Sequence, residues 1–549
     1  MQPRALLQRW WTYFALTAAM AGMYFALAVR GFSLGLYGDV LAYIYHYETR
    51  GIRGGMNWLV MEHWHRHLAG ALASAPIQVL FPGDEAAWYA IGLAIHFGNA
   101  VLLFAFMDYW MRGKHRLLTV LAAVFFALDT LQTEFNLILA TSTHRKISAT
   151  MMILFLWLYL AHARSGHNRT AFYGLSLVLF SIGNAIYEQG FLLFLLFPLL
   201  ALYENWQKPV MQPWWRYLMR IALEMFPFGM FVLSYVYLID VLFISSNVES
   251  SVQHVINQVA GAINIAYNPW EMIVRAWPAV RTWGWTLLTI IGTVVAGGLL
   301  WMWVRRTDTD IPYPWRLLLL GAGIMLLNAF SVAPTDFSIP FATRLVYVGG
   351  LGSGVVILCA MECIRRTVPG ITGKALFTVV PALIIGSGVS QYFSAQNIYL
   401  ERNIEREAVL SAVQDALPSW STDEQPYLLI IPDAHPYDEL ALHAQDVGFP
   451  YAFDLLYDTE GILADVVYFD IGGPAETSGQ HIIATGNGIV SPLRKEELIA
   501  PERLVVFAYD STTRTAQIVE AVPPEILEIG NLYAEAPFTW ETGAAYLPD

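Results

Sequence analysis

The stretch DEAAWYAIGLAIHFGNAVLLFAFMDYW, Asp84 to Trp110, decides how this chain is read. A mostly apolar run longer than about 20 residues can satisfy its backbone hydrogen bonds in lipid only as a helix, and at that length it crosses a bilayer. Runs of this kind lie near 11–30, 86–111, 117–135, 147–163, 171–187, 189–204, 219–243, 283–304, 316–333, 345–364 and 373–392, which makes eleven expected spans. Hydrophobic residues are 56% of the 549, charged residues 14%, and mean hydropathy is +0.46. A water-soluble domain of this size does not carry such a balance, so the chain is expected to be a polytopic α-helical membrane protein.

Cations orient the spans. Arg4 and Arg9, Arg112, Lys114 and Arg116, Arg164 and Arg169, Lys208 and Arg216, Arg305, Arg306 and Arg316, and Arg365, Arg366 and Lys374 all fall on connections that alternate counting places on one side. The positive-inside bias makes that side the cytoplasm, with the amino terminus inside and the region after the last span outside. The amino terminus has two arginines before its apolar run and no clear small-residue cleavage site, so an uncleaved first span is expected. The segment LAGALASAPIQVLFP, 68–82, is too short and Pro-interrupted to span, and reads as an outer-surface or re-entrant helix. The expected setting is a plasma membrane, of bacterial type.

Charge divides the chain in two. Up to residue 392 there are 25 Lys and Arg against 18 Asp and Glu; from 393 to 549 there are 6 against 26. A basic membrane domain, 1–392, with outer-surface loop helices at about 31–82, is thus followed by an acidic extracytoplasmic domain, 393–549, and nucleic acid is not an expected partner. In the second domain PYLLIIPDA, ADVVYFDIGG, HIIATG, RLVVFAYD and AQIVEAV read as short strands, with helices near 401–416 and 436–446, an α/β pattern. The two cysteines, Cys359 and Cys363, lie four apart in an apolar segment and read as helix packing.

Polar groups collect on four stretches of the expected outer face. In GFSLGLYGDVLAYIYHYETRG, helical spacing puts Asp39, Tyr43, His46 and Arg50 on one stripe and Leu36, Val40, Ile44 and Tyr47 on another, an interfacial pattern that continues into MEHWHRHLAG with Glu62 and Arg66. NLILATSTHRKIS places Thr143, His144, Arg145 and Lys146 just before a span; NAIYEQG holds Glu188 in a tight turn; TDFSIPFATRLVYVGG places Arg344 and Tyr347 at the start of another span. Interfacial Arg and Lys ordinarily snorkel to headgroups and Tyr forms belts, but ionisable groups converging at membrane depth mark function. No metal site is expected: EHWHRH is rich in ligands, yet no second cluster has ligand spacing. No cofactor is implied otherwise, and a divalent metal requirement is left open. The glycine-rich FDIGGPAETSGQHIIATGNG lacks the Lys-Ser/Thr ending of a phosphate loop and reads as turns between strands.

Taken in order, these motifs resemble the GT-C class of membrane glycosyltransferases, especially the protein O-mannosyltransferase and transmembrane tetratricopeptide O-mannosyltransferase branch, without the repeats. YGDVLAY stands where that branch has an acidic pair after its first span; His96 and Asn99 are in register in the next span; Asp129, Glu134 and Arg145 fall in place in FFALDTLQTEFNLILATSTHRKISATMMILFLWLYL; Glu188 occupies the position of a Ser-Lys-Glu turn; Arg344 and Tyr347 resemble a late Arg-Tyr element. The resemblance covers about 10–210 and 335–360. Gly38 replaces the first acid of the pair, Arg66-His67-Leu68 stands for Arg-Pro-Leu, and Asp129-Thr130 for His-Pro.

The resemblance implies a GT-C-like topology and transfer of a sugar from a polyprenyl-phosphate donor to a protein, glycan or lipid acceptor on the outer face. Asp39 would be the general base, with Glu188 beside it; Arg145, Lys146, Arg344 and Tyr347 would hold the donor phosphate; Glu62, Arg66, His96 and Glu134 would support the acceptor or the loops. Two other readings stand beside it. One is a catalytically inactive GT-C-derived scaffold or assembly subunit that binds a partner through its exported domain, motivated by Gly38. The other is a transporter, which the lack of a visible internal repeat disfavours.

Overall fold

The computed structural model describes residues 3–31, 39–58, 68–81, 84–129, 143–165, 169–205, 214–242, 252–263, 283–306, 314–333, 347–368, 370–420, 426–432, 448–459, 463–466, 482–485, 488–490, 498–519, 528–529 and 532–534. The chain forms two compact units, one of Met1–Phe32 with Met56–Gln396, the other of Ser33–Gly55 with Asn397–Asp549.

The first unit is a helical bundle: α1 (Pro3–Gly31), the end of α2 (Asp39–Trp58), α3 (Leu68–Leu80), α4 (Glu85–Trp110), α5 (Arg116–Ala127), α6 (Thr143–Arg164), α7 (Arg169–Ile186), α8 (Phe197–Asn205), α9 (Trp214–Leu242), α10 (Val252–Gly261), α11 (Trp283–Arg306), α12 (Trp315–Val332), α13 (Tyr347–Thr367) and the first part of α14 (Gly370–Ala416). Eight of the described helices are long and apolar enough to cross a membrane: segments of α1, α4, α6, α9, α11, α12, α13 and α14. The chain is therefore an integral membrane protein by the length and composition of its helices.

Three of the eleven expected spans are not among these eight, and two of them take another form. The run at 117–135 is described as a helix only to Ala127, twelve residues long. The run at 171–187 is α7, a regular helix of eighteen residues. The run at 189–204 begins as two 3₁₀ turns, Glu188–Gly190 and Leu193–Leu196, before α8. Pro198 explains the change, because it has no N–H to give the Phe194 carbonyl, which accepts from the Phe197 N–H in a 3₁₀ bond instead.

Close backbone approaches set the packing. A Cβ on Gly352 would collide with the carbonyl oxygen of Gly321, and one on Gly321 would sit 2.8 Å from that of Gly352, so α12 and α13 meet through facing glycines. α11 and α14 do the same where a Cβ on Gly292 would lie 3.2 Å from the Cα of Gly386, and Thr289 bonds Ser390 at 2.7 Å nearby. At the end of the bundle where the cations gather, Arg116 pairs with Asp108 at 3.0 Å and Arg164 donates to the carbonyls of Tyr109 and Trp110. Glu224 there receives Tyr159, Arg169 and Arg220. Cys359 is buried and Cys363 exposed, and neither forms a disulfide.

The second unit holds two sheets. β1 (Tyr427–Pro432), β2 (Leu463–Val466), β6 (Leu504–Asp510) and β7 (Thr515–Ile518) form one, in the order β2-β1-β6-β7; β3 (Ile482–Thr485), β4 (Gly488–Val490), β5 (Leu498–Ile499), β8 (Glu528–Ile529) and β9 (Leu532–Ala534) form the other, in the order β5-β4-β3-β9-β8. β1 runs parallel to both β2 and β6, and its Tyr427 to Ile430 are fully buried, as a central parallel strand covered on its faces requires. Val409 and Val413 from the end of α14, Leu417 just after it, and Phe453 of α15 (Gly448–Tyr457) close that core against Leu428, Val505 and Phe507. Buried Glu405 accepts from Tyr509 Oη at 2.7 Å and ties the helix to the sheet. The five expected strand stretches all contain strands, the helix expected near 401–416 is the end of α14, and the helix expected at 436–446 lies outside the described residues. The glycine-rich stretch closes as an antiparallel pair, with Thr485 opposite Gly488.

Candidate functional site

At the other end of the bundle, where α7 and α12 finish and α6 and α13 begin, the polar motifs of the sequence meet. Ser148 donates to the carbonyls of Gly183 and Tyr187, which fixes the antiparallel pair α6 and α7 and sets the turn that follows. Asn184 accepts from Gly190 N–H at 3.1 Å and so closes the 3₁₀ turn containing Glu188. Arg145 then lies with its guanidinium 4.5 Å above the Tyr187 ring, and the His144 ring packs 5.6 Å from the same tyrosine. Arg145 and Glu188 are half-buried, placed between the bundle interior and its surface.

The turn is tied to the start of α13. Gln189 accepts from Val348 N–H through its side chain at 3.2 Å, and Asn328 accepts from Gly349 N–H at 2.9 Å. Asn328 also donates to the Gln189 carbonyl at 2.9 Å. The first N–H groups of a helix have no partner within it, and here two amide side chains from distant segments supply them. Tyr347, the first residue of α13, is fully buried and its hydroxyl lies 2.8 Å from His96 Nδ1. His96 Nε2 is 3.1 Å from the Ala127 carbonyl and 3.3 Å from Tyr392 Oη. A carbonyl only accepts, so Nε2 carries the proton and Nδ1 accepts from Tyr347.

Apart from Asp39, the candidate residues of the sequence fall into three groups. Arg145, Glu188 and the first turn of α13, with Tyr347, are brought together at this end of the bundle. Lys146 and His96 lie beneath it: Lys146 is buried, its carbonyl accepts from Asn99 and Thr150, and its Nζ would be 3.3 Å from a Cβ at Gly92. His96 is a core residue of α4, with buried Asp129 following α5. The third group lies outside the described residues: Glu62, Arg66, Glu134 and Arg344, with the histidines of EHWHRH and Gly38.

Asp39 opens α2, in the second unit, and its side chain is not among those described. α2 bends at Gly51, whose φ of 65° is one that L side chains rarely adopt. Of the expected polar stripe His46 is buried and Arg50 exposed, and of the expected apolar stripe Tyr47 is buried; Tyr45, between the stripes, is buried too. Burial pushes the Tyr47 phenol up to about 12.

Gln189, Asn328 and Tyr392 are structural partners that the sequence motifs do not single out. Asn328 had a signal, as the lone amide in the apolar run WRLLLLGAGIMLLNAFSV, where an unpaired polar group would be costly.

No protein family matches the chain, and no curated protein does. Among solved structures it is similar to ArnT from Cupriavidus metallidurans bound to undecaprenyl phosphate, at 10% identity and a TM-score of 0.42, over 83% of this chain and 86% of that one. It is also similar to the apo state of that protein, at 12% identity and a TM-score of 0.41, over 82% and 85%. Similarity at this level carries neither a fold nor an activity across.

Proposed function

We propose that the chain is a membrane glycosyltransferase of the GT-C kind, which moves a sugar from a polyprenyl-phosphate donor to an acceptor hydroxyl at the outer membrane face. The observation that supports this most is the meeting of Arg145, Glu188 and the start of α13, segments far apart in the sequence, at one end of the bundle. Transfer of this kind needs a base for the acceptor hydroxyl and a cation for the departing phosphate, at the depth where a lipid phosphate sits. In the proposed step Asp39 takes the hydroxyl proton, the acceptor oxygen bonds the anomeric carbon, and the carbon–oxygen bond to phosphate breaks. The released phosphate carries away the bonding pair and is met by Arg145 and Arg344. The Tyr187 ring beneath Arg145 limits the conformations of that guanidinium, and Tyr347 and Gln189 hold the start of the helix that Arg344 precedes.

The second reading, a scaffold derived from the same class, rests on Gly38 standing where a second carboxylate is expected and on the acidic sheet-containing unit. One assay separates the two. The purified full chain in defined lipid is given a radiolabelled polyprenyl-phosphate sugar and a set of hydroxyl acceptors. Transfer that Asp39→Asn abolishes, with thermal stability unchanged, supports the enzyme. No transfer from any donor, together with stoichiometric retention of a protein partner, supports the scaffold.

A further inference from the structure

The cation-rich end of the bundle holds an open cavity of about 800 Å³, with Trp301, Arg305, Arg365, Arg366, Ile371 and Lys374 in its lining. It lies where α11 and α13 end and α14 begins, at the opposite end of α13 from Tyr347.

Its charge is not balanced locally. Glu362 takes both nearby guanidiniums, with Arg365 Nε at 2.6 Å and Arg366 Nε at 2.8 Å. One carboxylate thus serves two arginines, and Arg305 and Lys374 add positive charge to the lining beside them. Arg305 stacks over Trp301 at 4.7 Å, and Lys374 has no ion pair among the described residues. α14 begins on the same side at Gly370, and the first N–H groups of a helix have no partner within it.

The helices that bear the cavity carry exposed apolar residues on their membrane-spanning parts: Val294, Val295, Leu299 and Met302 on α11, and Ile371, Leu376 and Val379 on α14. A ligand that suits both features has an anionic head and hydrocarbon chains.

We propose that this cavity binds the phosphate headgroup of an anionic glycerophospholipid, with its acyl chains lying along the exposed faces of α11 and α14. The positive-inside bias makes this the cytoplasmic leaflet, so the site is separate from the reaction proposed above and does not depend on it. A cationic recess between helix ends differs from scattered snorkelling arginines because several charges reach one phosphate, and a phosphodiester accepts from more than one guanidinium.

The test is native mass spectrometry of the full chain, delipidated and titrated in detergent with phosphatidylglycerol, phosphatidylcholine or inorganic phosphate. The expected result is phosphatidylglycerol retained at roughly tenfold lower concentration than phosphatidylcholine, with that preference lost in Arg305→Gln/Lys374→Gln, which leaves the Glu362 pairs intact. Lys374→Gln alone serves if the double variant does not purify. Arg216, which stacks over Trp215 at 5.2 Å away from this cavity, is the control for general surface charge. Equal retention of the two lipids, or an equal loss in Arg216→Gln, overturns the site. Inorganic phosphate bound as tightly as phosphatidylglycerol overturns the lipid and leaves a soluble phosphate ligand.

Discussion

The Tyr347 hydroxyl donates to His96 Nδ1 across 2.8 Å and 251 residues of sequence, and this buried bond fixes the start of α13 against the middle of α4. His96 is held in one tautomer by the Ala127 carbonyl, so its free nitrogen has a single direction in which to accept. Tyr347→Phe should therefore leave Nδ1 buried without a donor at a cost of about 1–3 kcal/mol. A lower melting temperature of the full chain in detergent, with faster hydrogen exchange at Val348 and Gly349, is the expected result. Unchanged exchange at those amides would show that Gln189 and Asn328 alone hold the helix start.

Gly352 is expected to tolerate no side chain. A Cβ there meets the backbone carbonyl of Gly321, which cannot rotate away as a side chain can. Gly352→Ala should push α12 and α13 apart and destabilise the bundle by about 1–3 kcal/mol. Gly298, where a Cβ would meet nothing within 4 Å, is the matched control in another span. Thermal melts of the two alanine variants check the difference; equal melts would mean that the two helices separate without cost.

The bundle was readable because bilayer thickness imposes a length that composition alone reveals, and the strands of the second unit because turn residues punctuate β-branched runs. What the reading missed depends on pairing at a distance. Nothing near Gln189 in NAIYEQG indicates that its side chain accepts from Val348, 159 positions later, and no periodicity marks Asn328 as its partner. The Leu and Phe run before Pro198 looks like uniform helix in composition, whereas the proline's missing N–H shapes it locally. Arg145 and Glu188 were selected as surface groups and do lie at one end, but Lys146, one residue on, turns inward against α4. Adjacent cations on a helix point about 100° apart, so a sequence run of them does not make one site.

His115 provides a pH probe of the cation-rich end. It sits in the turn between α4 and α5 with φ of 59°, and burial, aided by the Arg366 and Lys114 charges and opposed by Glu362, pulls its pKa from 6.5 down to about 4. The folded chain therefore keeps this imidazole neutral while the unfolded chain binds a proton below about 6.5. Its contribution to stability is present at neutral pH and is lost as pH falls through the window from 6.5 to 4. His115→Asn removes the titration while keeping a residue that accepts a left-handed backbone. The melting temperature of the wild type minus that of the variant should fall as pH drops across that window; a difference independent of pH would show that His115 is protonated in the fold.

Arg145 is the residue whose substitution bears most directly on the proposed reaction. Its guanidinium is stacked on Tyr187, so charge and planarity both contribute to its placement, and a lysine supplies only the first. If Arg145 meets the departing phosphate, Arg145→Gln should lower sugar transfer from a polyprenyl-phosphate donor by about 10²–10³ in kcat, the scale of losing one preorganised charge partner. Arg145→Lys should recover part of that loss. Tyr187→Leu, which keeps the charge but removes the ring beneath it, should fall between the two, with donor KM little changed. Melting temperatures of all three variants distinguish a loss of chemistry from a loss of the turn at Glu188, because a collapsed turn would also release the Asn184 bond to Gly190. Transfer that survives Arg145→Gln at the wild-type rate would move the phosphate partner to another cation and leave Arg145 as a strut for the Tyr187 turn.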